Sequence, residues 1–217
     1  MSVGVLGTGR MGTALSRAVA ATGAEVLVCS ARPGWQPSAG PAGGDPVSLG
    51  ELLSRAELVV LAVPFPVAVA FGSGPAGRLG DGRTLVDATN PPAGALPPGL
   101  SGGEVIAEAA ASWRVAKAFN TVPADHVEAC RLGGGAVTVP VAGAPAAKTE
   151  VSALARRLGF DPLDAGGIEA SRHLESLATL LIELSARQRL HGRIGIHIGQ
   201  PSRLAPAVTA ISRGRQQ

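Results

Sequence analysis

Residues 3–12 read VGVLGTGRMG, a short apolar run that leads into a glycine-rich turn. Gly7, Gly9 and Gly12 have the spacing GxGxxG, and apolar residues at helical spacing follow the turn. A second run, Glu25–Cys29 (EVLVC), has the composition of a strand. These residues therefore predict a strand, a helix and a second strand, with the glycines at the junction of the first strand and the helix.

This junction is the place where a dinucleotide pyrophosphate binds in proteins with such a turn. Gly7 permits the tight turn, Gly9 lets the backbone approach the pyrophosphate, and Gly12 lets the helix pack closely on the strand. Free N–H groups and the positive end of the helix dipole, around residues 8–11, would hold the phosphates. We therefore expect a dinucleotide at the N-terminal turn.

The end of the second strand distinguishes between the two nicotinamide cofactors. NAD sites usually carry a carboxylate there, which accepts a hydrogen bond from the ribose 2′-hydroxyl. This chain has Cys29, Ser30, Ala31 and Arg32 instead, with no acid that would repel a 2′-phosphate. Ser30 can donate a hydrogen bond and Arg32 can pair with phosphate, so NADP is predicted.

The rest of the chain alternates between predicted strands and helices. Strands are expected over 58–63, 84–88, 114–119, 137–142 and 160–163, and helices over 48–55, 146–158 and 169–190. This alternation predicts an α/β fold with a doubly wound, mostly parallel Rossmann-type sheet. A chain of 217 residues suits one domain over 1–217. In that domain 166–198 form a C-terminal extension of a helix and a short strand at 193–198 (RIGIHI).

Several polar residues directly follow the predicted strands. Parallel sheets bind ligands outside the carboxyl ends of their strands. The predicted strand over 58–63 ends at Val63, and Pro64 follows it at that edge of the sheet. Asn90 follows LVDAT, and Asn120 and Thr121 follow VAKAF, at the same edge. These polar residues are candidates for holding the nicotinamide ribose or carboxamide.

Further segments complete a pattern that extends over nearly the whole chain. They are GTGRMG (7–12), CSAR (29–32), LAVPF (61–65), KAFNTVPA (117–124), VPVAG (139–143), PLDAGGIEASRHLESL (162–177) and RIGIHI (193–198). On these segments the chain resembles the NADPH-dependent reductases of the deazaflavin coenzyme F420. The nucleotide domain of that family is also similar to that of membrane ferric reductases.

The resemblance implies a hydride transfer between NADP(H) and coenzyme F420, and it implies roles for particular residues. The residues expected to touch NADP are Thr8, Arg10, Met11, Ser30 and Arg32. Val63 and Pro64 would lie along the nicotinamide half, and the deazaflavin would stack near Asn120, Thr121 and Val122. Archaeal members of the family carry His at the position of Asn120, so the resemblance leaves the role of that residue open. The resemblance and the apolar last helix together imply a homodimer.

Composition excludes several other classes of site. The chain has no Tyr, so the Ser, Tyr and Lys proton relay of short-chain dehydrogenases is impossible. Cys29 and Cys130 are isolated, and the four His have no acidic neighbours in a ligand-like spacing, so no metal site is predicted. Scattered Arg and few aromatic residues also argue against binding to nucleic acid.

No membrane segment or targeting signal is expected. The longest apolar run, 58–71, contains Pro64 and Pro66 and falls short of the roughly 20 residues that a membrane span needs. The start of the chain, MSVGVLG, lacks the basic region of a secretory signal. A cytoplasmic location is therefore predicted.

Two alternatives to an F420 reductase remain open. One is an NADPH-dependent reductase of another small acceptor: an imine, a ketone, a flavin or a chelated ferric ion. Such a reductase of a carbonyl or imine needs a proton donor, and Lys117 is the candidate if its side chain does not point into the core. The other alternative is a non-catalytic sensor of NADP(H).

Overall fold

The computed structural model describes residues 1–32, 34–37, 43–127, 131–132 and 135–199. These residues form ten strands, six α-helices and three short 3₁₀ helices. The strands are β1 (Ser2–Leu6), β2 (Glu25–Cys29), β3 (Asp45–Pro46), β4 (Leu58–Leu61), β5 (Thr84–Asp87), β6 (Arg114–Lys117), β7 (Arg131–Leu132), β8 (Gly135–Ala136), β9 (Thr138–Gly143) and β10 (Asp161–Gly166). The helices are α1 (Arg10–Ala21), α2 (Leu49–Arg55), α3 (Phe65–Ser73), α4 (Gly102–Ala109), α5 (Pro145–Arg157) and α6 (Ser171–Arg187).

Eight of these strands form one sheet in the order β10-β9-β6-β5-β4-β1-β2-β3. All neighbours are parallel except β6 and β9. The six strands from β3 to β6 follow the order 3-2-1-4-5-6 of dinucleotide-binding sheets. The chain order reverses between β1 and β4, so a crevice opens at their carboxyl ends. The predicted doubly wound, mostly parallel sheet is confirmed.

Apolar residues cover both faces of the sheet, because successive strand side chains point to opposite sides. Val26 and Val28 of β2 pack in one core with residues of α1 and α5. Leu27 and Cys29 of the same strand pack in a second core with residues of α2, α3 and α4. This two-sided burial explains why the strands are apolar at nearly every position.

Two helices were not predicted from the sequence. α3 follows β4 without a polar break, so the apolar run 58–71 contains a strand and the greater part of a helix. α4 begins with two glycines, which are poor helix formers, but Ser101 and Glu104 form a capping box in front of it. Hydrogen bonds from Ser101 hold the pKa of the Glu104 carboxyl below its usual value. The capping box S-x-x-E was the sequence signal for this helix.

The strand predicted over 193–198 is not formed. This segment runs beside the start of β9, and the Thr138 amide donates a hydrogen bond of 2.8 Å to the Ile196 carbonyl. The next contact is made by a side chain, because the amide of Ile198 donates to Oγ1 of Thr138 at 3.0 Å. The backbone ladder that defines a strand therefore does not continue.

A buried cluster of charges joins α6 to the sheet. Nζ of Lys117, at the end of β6, lies 2.8 Å from Oδ2 of Asp87 on β5 and 2.7 Å from Oε1 of Glu175 on α6. The three side chains are 0%, 0% and 9% exposed. Glu175 also accepts hydrogen bonds of 3.1 Å from the amides of Gly102 and Gly103, at the start of α4. One cluster therefore holds two strands and two helices together.

The cluster also explains how nearby charges are paired. A structural lysine often extends its ammonium group to solvent, but the Lys117 side chain is fully buried. Arg172 and Glu175 are three residues apart on α6, a spacing that allows a local ion pair, but they take other partners. Arg172 pairs with Glu104 at 3.0 Å, because Glu175 faces the buried side of α6 and is taken by Lys117.

We predict that Lys117→Met lowers the free energy of unfolding by about 3–5 kcal/mol, because two buried carboxylates lose their counter-charge. Lys148, the other lysine of the chain, forms a more exposed ion pair with Asp164 and provides the control. Lys148→Met should cost no more than about 1 kcal/mol. Urea denaturation followed by circular dichroism measures both, and equal losses would contradict the prediction.

Candidate functional site

The glycine-rich turn has the backbone geometry that its sequence predicts. Gly7 has a φ of 130°, and a Cβ at this position would lie 2.2 Å from the Ala62 carbonyl oxygen. A Cβ at Gly12 would lie 2.0 Å from the carbonyl oxygen of Gly7. A Cβ at Gly9 would meet no atom within 4 Å. Gly7 and Gly12 are therefore needed for packing, whereas Gly9 borders open space where a ligand can approach the backbone.

The N-terminus of α1 is free to bind an anion. Gly9 is its N-cap residue and supplies no side chain, and the first turn of the helix holds no acidic residue. The N–H groups of this turn and the positive end of the helix dipole therefore face the open space beside Gly9. This arrangement suits a pyrophosphate.

An acidic residue that is distant in sequence, Asp125, lies beside this turn. Nη2 of Arg10 is 2.7 Å from Oδ2 of Asp125, and the two side chains are 80% and 53% exposed. Both residues line a recess of about 430 Å³ together with Thr8, Gly9 and Thr13. Asp125 lies in the connection after β6, so only the folding of the chain brings it to the glycine turn.

Ser30 and Arg32 lie at the carboxyl end of β2, as predicted. The amide of Arg32 donates a hydrogen bond of 3.2 Å to Oγ of Ser30, and the Arg32 side chain is exposed. Cys29, before them, is buried, and burial raises the pKa of its thiol. Ser30 and Arg32 therefore place a hydroxyl group and an exposed guanidinium group at the end of β2.

A second, larger cavity of about 550 Å³ opens between the carboxyl ends of β5 and β6 and the helix α6. Asn90, Asn120, Thr121 and Val122 line its sheet side, and Met11 joins it to the glycine turn. Its other side is formed by α6 and the segment after it, through Ala178, Leu181, Ile182, Ser185, Ala186, Arg189, His191, Gly192 and Ile194. The cavity is thus mostly apolar, with a few polar groups concentrated on one side.

The predicted site residues therefore separate into groups. One group lines the cavity, and its members are Met11, Asn90, Asn120, Thr121 and Val122. Ser30 and Arg32 do not line it, and neither do Val63 and Pro64, which follow β4 near the glycine turn. The individual α6 residues that line the cavity were not predicted, because the sequence shows an apolar helix face without showing what that face borders.

Two asparagines form a reciprocal pair at the floor of the cavity. Nδ2 of Asn90 donates to the backbone carbonyl of Asn120, and Nδ2 of Asn120 donates to Oδ1 of Asn90, both at 2.9 Å. Nδ2 of Asn120 also donates to the Leu174 carbonyl on α6, at 3.1 Å. Phe119, before Asn120, is buried and has a φ of 62°, an uncommon conformation for a bulky residue. Hydrogen bonds to Asn90 and to the Leu174 carbonyl therefore fix the position of Asn120.

Two positively charged or titratable residues lie on the cavity wall after α6. Arg189 and His191 have φ values of 51° and 50°, where the chain turns back toward the sheet. Lys117 does not line the cavity, and both carboxylates of its cluster hold its ammonium group. His191 is thus better placed than Lys117 to donate a proton there.

Within the described residues, no cluster of three or more potential metal ligands exists. Within the same residues, no helix has the length and apolar character that a membrane crossing requires. Cys130 lies outside the described part of the chain.

Comparison with known proteins assigns the glycine turn and its surroundings to a family. Residues 2–91 match the family described as NADP oxidoreductase coenzyme F420-dependent. This part of the chain is similar to that family of NADP-dependent oxidoreductases. The resemblance inferred from the sequence is confirmed. The family match includes the glycine turn and Asn90 but ends before β6 and α6, which form much of the cavity.

Individual relatives extend the comparison. Metalloreductase STEAP3 of Rattus norvegicus is 29% identical over 181 residues, which are 83% of this chain and 37% of the length of that protein. A solved structure from Arthrobacter sp. FB24, provisionally named an F420-dependent NADP reductase, is 29% identical with a TM-score of 0.79, and the match covers 92% of this chain and 100% of that one. An imine reductase from Pseudomonas sp. is 18% identical with a TM-score of 0.62, covers 87% of this chain and 63% of its own, and shows the fold alone.

We predict that Gly9→Val abolishes NADPH binding while the protein stays folded, because the added side chain fills the space that the phosphates need. Gly50 in α2, where a Cβ would also meet nothing within 4 Å, is the matched control. Gly50→Val should bind NADPH like the wild type. Cofactor titration beside circular dichroism checks both variants, and NADPH affinity retained in Gly9→Val would refute this position of the phosphates.

Proposed function

We propose that this protein transfers a hydride between NADP(H) and the deazaflavin coenzyme F420. The observation that carries the proposal is the mostly apolar cavity that begins at Met11, beside the glycine turn, and ends at α6. A cavity of about 550 Å³ has room for a planar ring system next to a nicotinamide. The family of residues 2–91 and the full-length match to the Arthrobacter sp. FB24 protein support the same acceptor.

The pyrophosphate of NADP(H) binds at the start of α1 in this proposal. Gly7, Gly9 and Gly12 shape the turn, and the amides over residues 8–11 donate hydrogen bonds to the phosphates. Arg10 exchanges its partner Asp125 for a phosphate oxygen. An exposed ion pair is worth about 1 kcal/mol or less, so this exchange opposes binding only weakly.

The 2′-phosphate of NADP(H) is bound by Ser30 and Arg32. Val63 and Pro64 lie along the nicotinamide half, and Asn90 and Asn120 border it where the cavity begins. NADPH supplies the hydride, and the protein orients the two reacting rings and excludes water. A deazaflavin accepts hydride at carbon and takes its proton from water, so no strong side-chain acid is required.

The fold suggests how these parts form one unit. We propose a single domain over residues 1–217, in which 166–198 are the C-terminal extension that closes the cavity. α6 contacts α4 and β9, so it packs on the same body as the dinucleotide turn. Leu180 and Leu184, one turn apart on α6, are 51% and 37% exposed and support the homodimer that the family resemblance implies.

We predict that Arg32→Ala weakens NADPH binding by about 1.5–3 kcal/mol, the usual worth of a hydrogen bond to a charged group. NADH lacks the 2′-phosphate, so its affinity should barely change. Fluorescence titration of both cofactors gives the comparison. Equal losses for NADPH and NADH would show that Arg32 does not select the phosphate.

The proposed function itself predicts bleaching of the deazaflavin band when the protein is mixed with NADPH and oxidised coenzyme F420. His191→Ala should leave this rate within roughly tenfold, whereas loss of a general acid in a ketone or imine reductase typically costs about 10²–10⁴-fold. The outcome against the proposal is no bleaching above an enzyme-free control, together with steady turnover on a ketone, an imine or a ferric chelate. NADPH binding without turnover on any acceptor would indicate a sensor.

A further inference from the structure

The fold holds the backbone of Asp125 beside the glycine turn. Asp125 lies on a short 3₁₀ turn, Ala124–His126, in the connection after β6. The Val127 amide donates a hydrogen bond of 3.2 Å to the Ala124 carbonyl, and Val127 is buried in the core. A Cβ on Gly192, in the turn after α6, would lie 3.7 Å from Oδ2 of Asp125. The carboxylate is therefore carried by a turn that the core anchors on one side and that borders the turn after α6 on the other.

Asp125 brings a negative charge to a recess that otherwise favours anions. Among the described residues that line the recess at the glycine turn, Asp125 is the one acid, and Arg10 and Arg17 are the cations. The N-terminus of α1, which holds no acidic residue in its first turn, adds a positive potential to the same recess. The charge of Asp125 therefore opposes the binding of an anionic ligand, whereas the other charged groups favour it.

The ion pair of Arg10 and Asp125 stands between two recesses. The first, of about 430 Å³, contains the glycine turn, and the second, of about 530 Å³, is bordered by Met11, His191 and Gly192. Both members of the pair line both recesses. Met11, His191 and Gly192 also line the cavity of about 550 Å³. The pair therefore bridges α1 and the connection after β6 on the way from the glycine turn to the cavity.

This bridge can be exchanged for a ligand at little cost. Nη2 of Arg10 lies 2.7 Å from Oδ2 of Asp125, and the two side chains are 80% and 53% exposed. Water screens a pair of this kind, so the pair holds Arg10 only weakly. A guanidinium group also binds phosphate oxygens well, because it can donate two parallel hydrogen bonds to them. Arg10 thus has two competing partners, the carboxylate of the protein and a phosphate of the ligand.

We propose that Asp125 is a positioning residue that acts through Arg10 and speeds the release of the cofactor. It competes with the cofactor phosphates for the guanidinium group and so shortens the time for which NADP(H) stays bound. The inference rests on the proposed function in placing the pyrophosphate at the start of α1. A nicotinamide cofactor must leave after each hydride transfer, and release of product limits turnover in many enzymes. Asp125 gives Arg10 a partner to return to as the phosphates leave.

A purely structural ion pair would have the opposite effect on affinity. If the pair only tied the connection after β6 to α1, its loss would loosen the recess and weaken the binding of the cofactor. If Asp125 competes for Arg10, its loss leaves the guanidinium group to the phosphates and strengthens binding. The sign of the change in affinity therefore separates the two roles.

The test measures the binding and dissociation of NADPH in the absence of any acceptor. Stopped-flow fluorescence, with excess NADP⁺ as the chase, gives the dissociation rate constant. Asp125→Asn removes the charge at nearly constant shape, and it should slow dissociation and lower the Kd by roughly two- to fivefold, the range that an exposed ion pair spans. Asp81→Asn is the matched control for net charge, because Asp81 is exposed and precedes β5, at the opposite edge of the sheet. This control should behave like the wild type.

Arg10→Gln gives an independent arm, because it removes the group for which the two partners compete. Alone, this variant should bind NADPH about tenfold more weakly or worse, since a charged hydrogen bond to phosphate is lost. In the Arg10→Gln background, Asp125→Asn should change the dissociation rate constant by less than about twofold. A gain of the same size in both backgrounds would show direct repulsion of the phosphates by Asp125 and would overturn the inference. Circular dichroism confirms that each variant is folded.

Other outcomes would also overturn the inference. These are faster or unchanged dissociation of NADPH from Asp125→Asn, or a gain in Asp81→Asn as large as that in Asp125→Asn. The bleaching assay with coenzyme F420 is scored separately. Bleaching by the wild type with unchanged dissociation from Asp125→Asn would reject this inference alone, and slower dissociation without bleaching would reject coenzyme F420 while keeping the role of Asp125. No binding of NADPH to the wild type would reject the cofactor site and this inference with it.

Discussion

The ion cluster of Lys117, Asp87 and Glu175 is the constraint on which the arrangement of the site depends. It lies at the carboxyl ends of β5 and β6 and takes its third member from α6, so a helix distant in sequence is held over the sheet edge. Glu175 also binds the first amides of α4, which aligns a negative charge with the positive end of that helix. Because the cluster is buried, the loss of one member would leave an unpaired charge in the core and would destabilise the fold.

The cluster keeps the one buried lysine in a structural role, away from the cavity. Lys117 was the candidate acid for reduction of a carbonyl or imine, and its ammonium is held inside the fold. The cavity wall nearby carries amide and hydroxyl groups from Asn120 and Thr121, which do not transfer protons at neutral pH. This wall agrees with the proposed acceptor, which needs no strong acid.

Sequence and structure agree best where function depends on a local backbone shape. The glycine turn could be predicted because Gly7 and Gly12 are required by contacts with close neighbours in the chain or in the next strand. The end of β2 could be predicted for the same reason, since Ser30 and Arg32 follow it directly. Asp125, Arg189 and His191 could not be predicted, because their approach to the site depends on how the connection after β6 and the turn after α6 pack.

Periodicity and residues adjacent in the chain were enough to predict the alternation of strands and helices, the dinucleotide turn and a preference for NADP. Which residues face the second cavity depends on tertiary packing. Asn120 illustrates the difference: its place after β6 follows from the sequence, but its orientation follows from Asn90 and the Leu174 carbonyl, 30 and 54 residues away. Long-range packing sets such contacts, and no local pattern encodes them.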